Sequence, residues 1–169
     1  SGSGTIYTTY NTNVYKDSSR TNAMTTSANA VTIPTKTNAT FQGYYNSATG
    51  TTQYIDANGY ITSAGLSAGK GYTSSQTWYA KFGCNAGYYL PSGSTTCTAV
   101  SDGYSSPADN NNRYPYYKIT LNKNNGTGGT STIYFDTRDW DYFYSSCSST
   151  GCSGYMKYIS SPTRDGYTF

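Results

Sequence analysis

The two ends of the chain are related in sequence. Residues 5–7 read Thr-Ile-Tyr, and residues 132–134 repeat them 127 positions later. Residues 33–41, Ile-Pro-Thr-Lys-Thr-Asn-Ala-Thr-Phe, return in degenerate form as Ser-Pro-Thr-Arg-Asp-Gly-Tyr-Thr-Phe at 161–169, with an offset of 128. A fixed internal period is the signature of proteins built as arrays of modules. We therefore expect the chain to hold a little over one period of a tandem array, cut inside a repeat at both ends.

The composition favours strands and turns over helices. The chain has 21 Tyr and 18 Gly, and aromatic residues make up 17% against 11% for charged residues, the reverse of a disordered chain. Tyr and Thr suit pleated, half-buried surfaces, whereas Gly, Asn and Ser favour turns. Because Leu and Ile are scarce, the core must depend on Tyr, and each buried Tyr hydroxyl needs a hydrogen-bond partner.

Several classes of function are disfavoured by the residues that are missing. The sequence has no His, and every acidic residue is Asp, so few groups remain for general acid–base catalysis. We expect no catalytic site, no cofactor and no metal. The net charge of +3 is spread out, without a Lys/Arg cluster that would follow phosphates, so we do not expect nucleic-acid binding. No apolar run approaches the roughly 20 residues of a membrane span, so we do not expect membrane insertion.

The four cysteines fall into two local pairs, Cys84 with Cys97 and Cys147 with Cys152. Two disulfides would indicate an oxidising, extracellular setting. Three pairings are possible, and we prefer the two local ones because each pair is close in sequence and a strand-like region separates them. A zinc site is the alternative, but the first pair is too widely spaced for the usual ligand pattern and there is no His.

Alternating and aromatic segments predict most of the strands. We expect strands at 5–10, 41–45, 51–55, 60–62, 77–82, 117–122 and 132–135, and a hairpin turn at the Asn-Gly of 58–59. Residues 11–30 could hold a short helix or an irregular crossover, and 65–71 are predicted to be a loop. Residues 83–116 carry the first cysteine pair and several turn signals, so we interpret them as a loop-rich spacer.

Three segments carry a family resemblance: residues 118–129 (KITLNKNNGTGG), 162–169 (PTRDGYTF) and 78–82 (WYAKF). Together with 42–45 (QGYY), they resemble pieces of internalin-B-type repeats, also called Listeria–Bacteroides repeats. Phe82 stands where that family usually has Trp. The resemblance covers roughly 1–82 and 117–169, whereas the spacer is similar to short Cys-rich growth-factor-receptor-like spacers.

The resemblance implies small β-grasp-like modules on bacterial surface proteins, with adhesive or spacing roles and no enzymatic activity. We therefore predict a mainly β fold in which β-grasp-like repeat modules are joined by a disulfide-pinned, loop-rich spacer. The expected domains are a repeat module at 1–82 that lacks its first strand, the spacer at 83–116, and the start of the next module at 117–169. The missing strand would be supplied by the assembly strand, which comprises Lys118, Ile119, Thr120, Leu121, Asn122 and Lys123.

Two functions remain open at this point. The first is a structural repeat unit of an extracellular filament or surface adhesin stalk that assembles head to tail by strand complementation. Its partners would be other copies of itself, as a homopolymer or as a tandem array. The alternative is a glycan-binding adhesin module that stacks sugars on exposed aromatic residues, with Trp78, Trp140, Tyr142 and Tyr144 as candidates. Asp136, Asp139 and Asp141 form a D-x-x-D-x-D run. We interpret that run as a solvated turn, because it does not match a cation-binding loop.

Overall fold

The computed structural model describes residues 4–169, and these residues are mainly β with one helix. They separate into two compact units, with the division between residues 83 and 84. The first boundary lies within one residue of the predicted one at 82/83. The second predicted boundary, at 116/117, falls inside a strand that runs from residue 114 to residue 120. Residues 104–105 pair with 114–115 of this strand, so the spacer and the residues that follow it share one sheet.

The described residues of the first unit form five strands and the helix. In chain order they are β1 (Tyr7–Thr8), β2 (Val14–Tyr15), β3 (Ala39–Tyr45), β4 (Gln53–Ile55), α1 (Ser63–Gly71) and β5 (Tyr79–Cys84). β1 and β2 form an antiparallel two-stranded sheet, and a second sheet has the order β4-β3-β5. The core consists of buried apolar residues joined by partly buried neighbours: Val14, Met24, Ile55, Ile61, Ile6, Val31, Tyr44, Leu66 and Trp78.

Helix α1 overturns the prediction of a loop at 65–71. The Thr62 side chain caps the helix by accepting a hydrogen bond from the Gly65 N–H at 3.0 Å. Gly65 and Gly69 are buried, and they lie so close to Tyr54 and Val14 that a Cβ at either position would clash. Glycine disfavours helices by about 1 kcal/mol, so tertiary contacts rather than local preference hold this helix in place.

The second unit contains only strands. They are β6 (Tyr88–Tyr89), β7 (Thr98–Ala99), β8 (Tyr104–Ser105), β9 (Tyr114–Thr120), β10 (Thr132–Asp136), β11 (Asp139–Ser148) and β12 (Gly151–Met156). β6 and β7 form a small hairpin, while the others form one sheet of order β12-β11-β10-β9-β8. The predicted assembly strand lies partly in β9, which ends at Thr120, so residues 121–123 are outside the strand.

Candidate assembly surfaces

The sequence repeat is also a repeat of backbone structure. In the turns 36–39 and 164–167, the last N–H donates a hydrogen bond to the first carbonyl, at 3.2 and 3.1 Å. The third residue of each turn has a positive φ, +56° at Asn38 and +76° at Gly166. Asn and Gly are the residues that adopt this conformation most readily. The two segments therefore form the same turn although their sequences have diverged.

Equivalent phenylalanines close the two repeats, but their surroundings differ. Phe41 is 6% exposed, and its ring lies 5.2 Å from Tyr44 and 5.6 Å from Phe82, measured between centroids. Phe169 occupies the corresponding position in the second repeat and is 84% exposed. The second repeat therefore presents to solvent an aromatic ring that the first repeat buries.

Strands β1 and β10 are the second pair of equivalents, because Ile6 corresponds to Ile133. Both isoleucines face the interior, with Ile6 packed against the core of the first unit and Ile133 only 5% exposed. β10 is hydrogen-bonded to β9 on one side and β11 on the other. β1 is bonded to β2 alone among the described strands. One side of β1 is therefore an open sheet edge in a place where its equivalent has a neighbour.

We use the name β1 edge for the open side of β1 together with the preceding residue, that is, residues 6–8. The Thr9 N–H donates to the Asn13 carbonyl at 3.3 Å, so the main-chain groups of residues 7 and 9 point toward β2. Bonding directions alternate along an antiparallel strand, and the groups of Ile6 and Thr8 therefore point away from it. The edge adjoins a groove of about 1130 Å³ whose apolar lining includes Ile6, Ile33 and Trp78.

A second open edge lies on β9, and we call residues 117–120 the β9 edge. β8 pairs only with residues 114–115, and its reach ends where the Tyr116 N–H donates to the Gly103 carbonyl at 2.8 Å. Beyond that point no described strand lies on this side, and residues 117–120 are all exposed. Ile119 is 41% exposed although it pairs with the buried Ile133. The exposed stretch of the predicted assembly strand is thus an edge that can accept another strand.

All four cysteines are in disulfides, with the pairing that the sequence favoured. We call Cys84–Cys97 the first bridge and Cys147–Cys152 the second bridge. The first bridge is buried, and the second joins residues that lie opposite each other in β11 and β12. The alternative of a zinc site on these cysteines is wrong, because the structure has no free cysteine.

The aspartate run is only partly the solvated turn that the sequence predicted. Residues 137–138 form a turn and Asp141 is exposed. Asp136 is buried at the end of β10, and its carboxylate accepts hydrogen bonds from the Arg138 guanidinium, which also lies over the Tyr114 ring. The Arg138 side chain holds the pKa of Asp136 below its usual range. Asp139 accepts a hydrogen bond from the Tyr144 hydroxyl at 3.1 Å. The described residues contain no group of three or more potential metal-ligating side chains.

The four candidate aromatic residues do not form one site. Trp78 is half-buried 4.8 Å from the ring of Tyr54 in the first unit. Trp140 is 63% exposed and stacks on Tyr117 with a centroid separation of 6.4 Å. Tyr142 is exposed and lies 4.6 Å from Tyr155. The pKa of Tyr144 is raised, mainly by burial and to a smaller extent by its hydrogen bond to Asp139.

The β1 edge is a structural feature that residue-by-residue inspection of the sequence did not locate. The matching of Ile6 with Ile133 was the signal that could have revealed it. Among the described residues, no helix combines the length and the hydropathy needed to cross a bilayer. Comparison with protein families, curated proteins and solved structures returned no match for this chain.

Proposed function

We propose that this chain is a structural repeat unit of an extracellular filament or surface adhesin stalk. Copies assemble head to tail by strand complementation, with the β9 region of one copy completing the N-terminal unit of another. The observation that carries the proposal is the contrast between β10, which has a strand on each side, and its equivalent β1, which has one open edge. An unpaired edge is a template for another strand.

A further feature supports self-assembly. The β1 and β9 edges belong to different units, and a contact between different surfaces of two copies produces an open chain unless its rotation closes a ring. The proposal therefore predicts growing oligomers rather than a closed dimer.

The proposal includes the module type and the location. The β4-β3-β5 sheet with α1, and the repeat segments at 36–41 and 164–169, are consistent with β-grasp-like modules of the internalin-B type. The two bridges are typical of proteins from oxidising compartments. We place the protein outside the cell or at a bacterial cell surface, and we propose a structural role rather than a catalytic one.

The direct test is self-association of the purified full-length chain. Light scattering after size-exclusion chromatography should show a mass that rises with concentration, and electron microscopy should show linear particles. Ile119→Lys, on the β9 edge, should shift the distribution to monomer. Tyr158→Lys is the matched control, because Tyr158 is exposed outside that edge. A chain that remains monomeric at every concentration would sink the proposal.

Glycan binding remains the second candidate because the Trp140 ring is exposed beside Tyr117. Flat exposed aromatic rings can stack on sugars. If this is the function, polysaccharides should shift the tryptophan emission of the intact protein, and Trp140→Ala should abolish the shift. Unchanged emission across a panel of neutral and acidic polysaccharides would remove this candidate.

A further inference from the structure

We infer that the β1 edge of one copy pairs in parallel with the β9 edge of a second copy, so that two sheets merge without any strand leaving its own copy. The inference rests on the proposed self-assembly and specifies where and how the copies meet. It places Ile119 of one copy opposite Ile6 of the other.

The main-chain groups of the two edges are complementary. At the β1 edge, Tyr7 and Thr9 bond toward β2, so by alternation Thr8 and the preceding Ile6 direct their N–H and carbonyl groups away from it. On β9, the Leu121 N–H donates to the Ser131 carbonyl at 2.8 Å, so odd-numbered residues bond to β10. Lys118 and Thr120 therefore point their groups to the open side. Each edge thus offers two residues with outward-facing donors and acceptors at the same spacing.

The direction of pairing follows from the side chains. In a parallel pair, the residue opposite Ile6 is the one between Lys118 and Thr120, which is Ile119, and its side chain lies on the same face as that of Ile6. In an antiparallel pair, Lys118 or Thr120 would lie beside Ile6 on the face that packs against the core. Only the parallel arrangement continues the apolar face from one copy into the next.

The groove beside β1 can receive the side chains that this register delivers. With Ile119 opposite Ile6, Tyr117 lies opposite Gly4, where the space that a Cβ would fill has no neighbour within 4 Å. Leu121 lies opposite Thr8, whose hydroxyl is already used in a 2.7 Å hydrogen bond to the Gly69 carbonyl. The apolar lining of the groove then covers Ile119, which is 41% exposed in the isolated chain.

Strand exchange would give the opposite strand direction, because β9 is antiparallel to β10. If β9 left its own sheet and occupied on β1 the place that it has on β10, the repeat would put Thr120 opposite Thr5, as it now lies opposite Thr132. That arrangement sacrifices every bond between β9 and β10. Edge pairing retains those bonds and puts Lys118 opposite Thr5. Both arrangements put Ile119 opposite Ile6, but β9 runs in opposite directions in them. The residue that faces Thr5 therefore changes by two positions, roughly 7 Å along the strand.

Disulfide trapping between copies distinguishes these two arrangements. Full-length Thr5→Cys protein is mixed with Lys118→Cys protein under mild oxidation, and the bonds are mapped by mass spectrometry. Both positions are exposed, and the native cysteines are all bridged. We expect the 5–118 disulfide to form readily and the 5–120 disulfide, from Thr120→Cys protein, to be minor. A dominant 5–120 bond would overturn the inference in favour of strand exchange.

A second measurement uses the main chain directly. Thr120→Pro removes the N–H that would donate to the Ile6 carbonyl of the other copy, while the bonds of β9 to β10 stay intact. Thr120→Val retains that N–H and is the matched control. Proline is compatible with an outward-facing strand position, and we expect it to weaken self-association about tenfold or more. Equal association of the two variants would overturn the inference.

The outcomes separate the two proposals. Oligomers that form without a 5–118 bond, and that Thr120→Pro leaves unchanged, would remove the edge pairing but keep the filament proposal. A chain that never associates would remove both.

Discussion

Replacing Gly65 by Ala should destabilise the first unit, although Gly→Ala inside a helix ordinarily stabilises it. The ordinary gain is about 1 kcal/mol. At Gly65, however, an added Cβ would lie 2.9 Å from the Ile61 Cγ1 and closer still to the Tyr54 carbonyl oxygen. Overpacking against a backbone atom that cannot rotate away costs roughly 3 kcal/mol, at the upper end of the usual range. The net loss is therefore about 2 kcal/mol, or roughly 10 °C in Tm for a unit of this size.

The control lies in the same helix. Gly71 is the last residue of α1, and a Cβ built there meets no atom within 4 Å. Gly71→Ala should therefore leave the stability unchanged or raise it by up to about 1 kcal/mol. Differential scanning calorimetry of both variants at low concentration measures the two signs side by side. If Gly65→Ala stabilises the protein as much as Gly71→Ala does, the close packing of α1 against β4 is wrong.

Three further predictions concern other parts of the chain. Phe41→Ala should lower the free energy of unfolding in urea by about 3 kcal/mol, because Phe41 is buried. The equivalent Phe169→Ala should change it by less than about 0.5 kcal/mol, because Phe169 is exposed. Equal losses in the two variants would contradict this difference in burial. Because the pKa of Asp136 is lowered, its stabilising effect is complete above the ordinary carboxyl pKa of about 4 and is lost as the pH falls through the lowered value. Asp136→Asn should therefore reduce stability at pH 7 and flatten the acid limb of a pH titration followed by circular dichroism, and an unchanged limb would refute this. Replacing both cysteines of the first bridge by Ser should lower the free energy of unfolding by about 3 kcal/mol, and the same change in the second bridge by about 2 kcal/mol, because the first bridge closes the longer loop. Denaturant titrations that show the reverse order would contradict the loop-entropy argument.

Local signals predicted the turns and many of the strands. The Asn-Gly turn is present, with Gly59 at φ +87° and the Asp56 N–H bonded to the Tyr60 carbonyl at 2.8 Å. The predicted strand at 41–45 lies within β3, and that at 132–135 lies within β10. Helix α1 could not be predicted in this way, because glycines in a sequence indicate a loop. The helix needs glycine where it packs against Val14 and Tyr54, and these residues lie outside the helix segment. The same reason hides the ion pair of Asp136 with Arg138, because the burial of Asp136 depends on strands that assemble around it.

The assembly surfaces were predictable only in part. From the repeat, residues 118–123 were predicted to be a strand that completes another module. In the structure, the first three of these residues lie on an exposed edge. Which side of β9 is open, however, depends on how far β8 extends, and two paired residues in a turn-rich segment leave no clear periodic signal. A strand is an edge strand when no other strand pairs with one of its sides. Sequence periodicity shows which face of a strand is buried, but it does not show which side is paired.

Both bridges are local, and this has a mechanical consequence. Their sequence separations are 13 and 5 residues, and both lie in the second unit. If the chain is pulled from its two ends, the first unit can unravel completely, but the bridged loops cannot lengthen. The two closed loops reduce the maximum extended length of the chain by roughly 50 Å, at about 3.4 Å per residue. Reduction of the two bridges would release that length, so the redox state of the surroundings sets how far each copy can stretch before its covalent backbone carries the load.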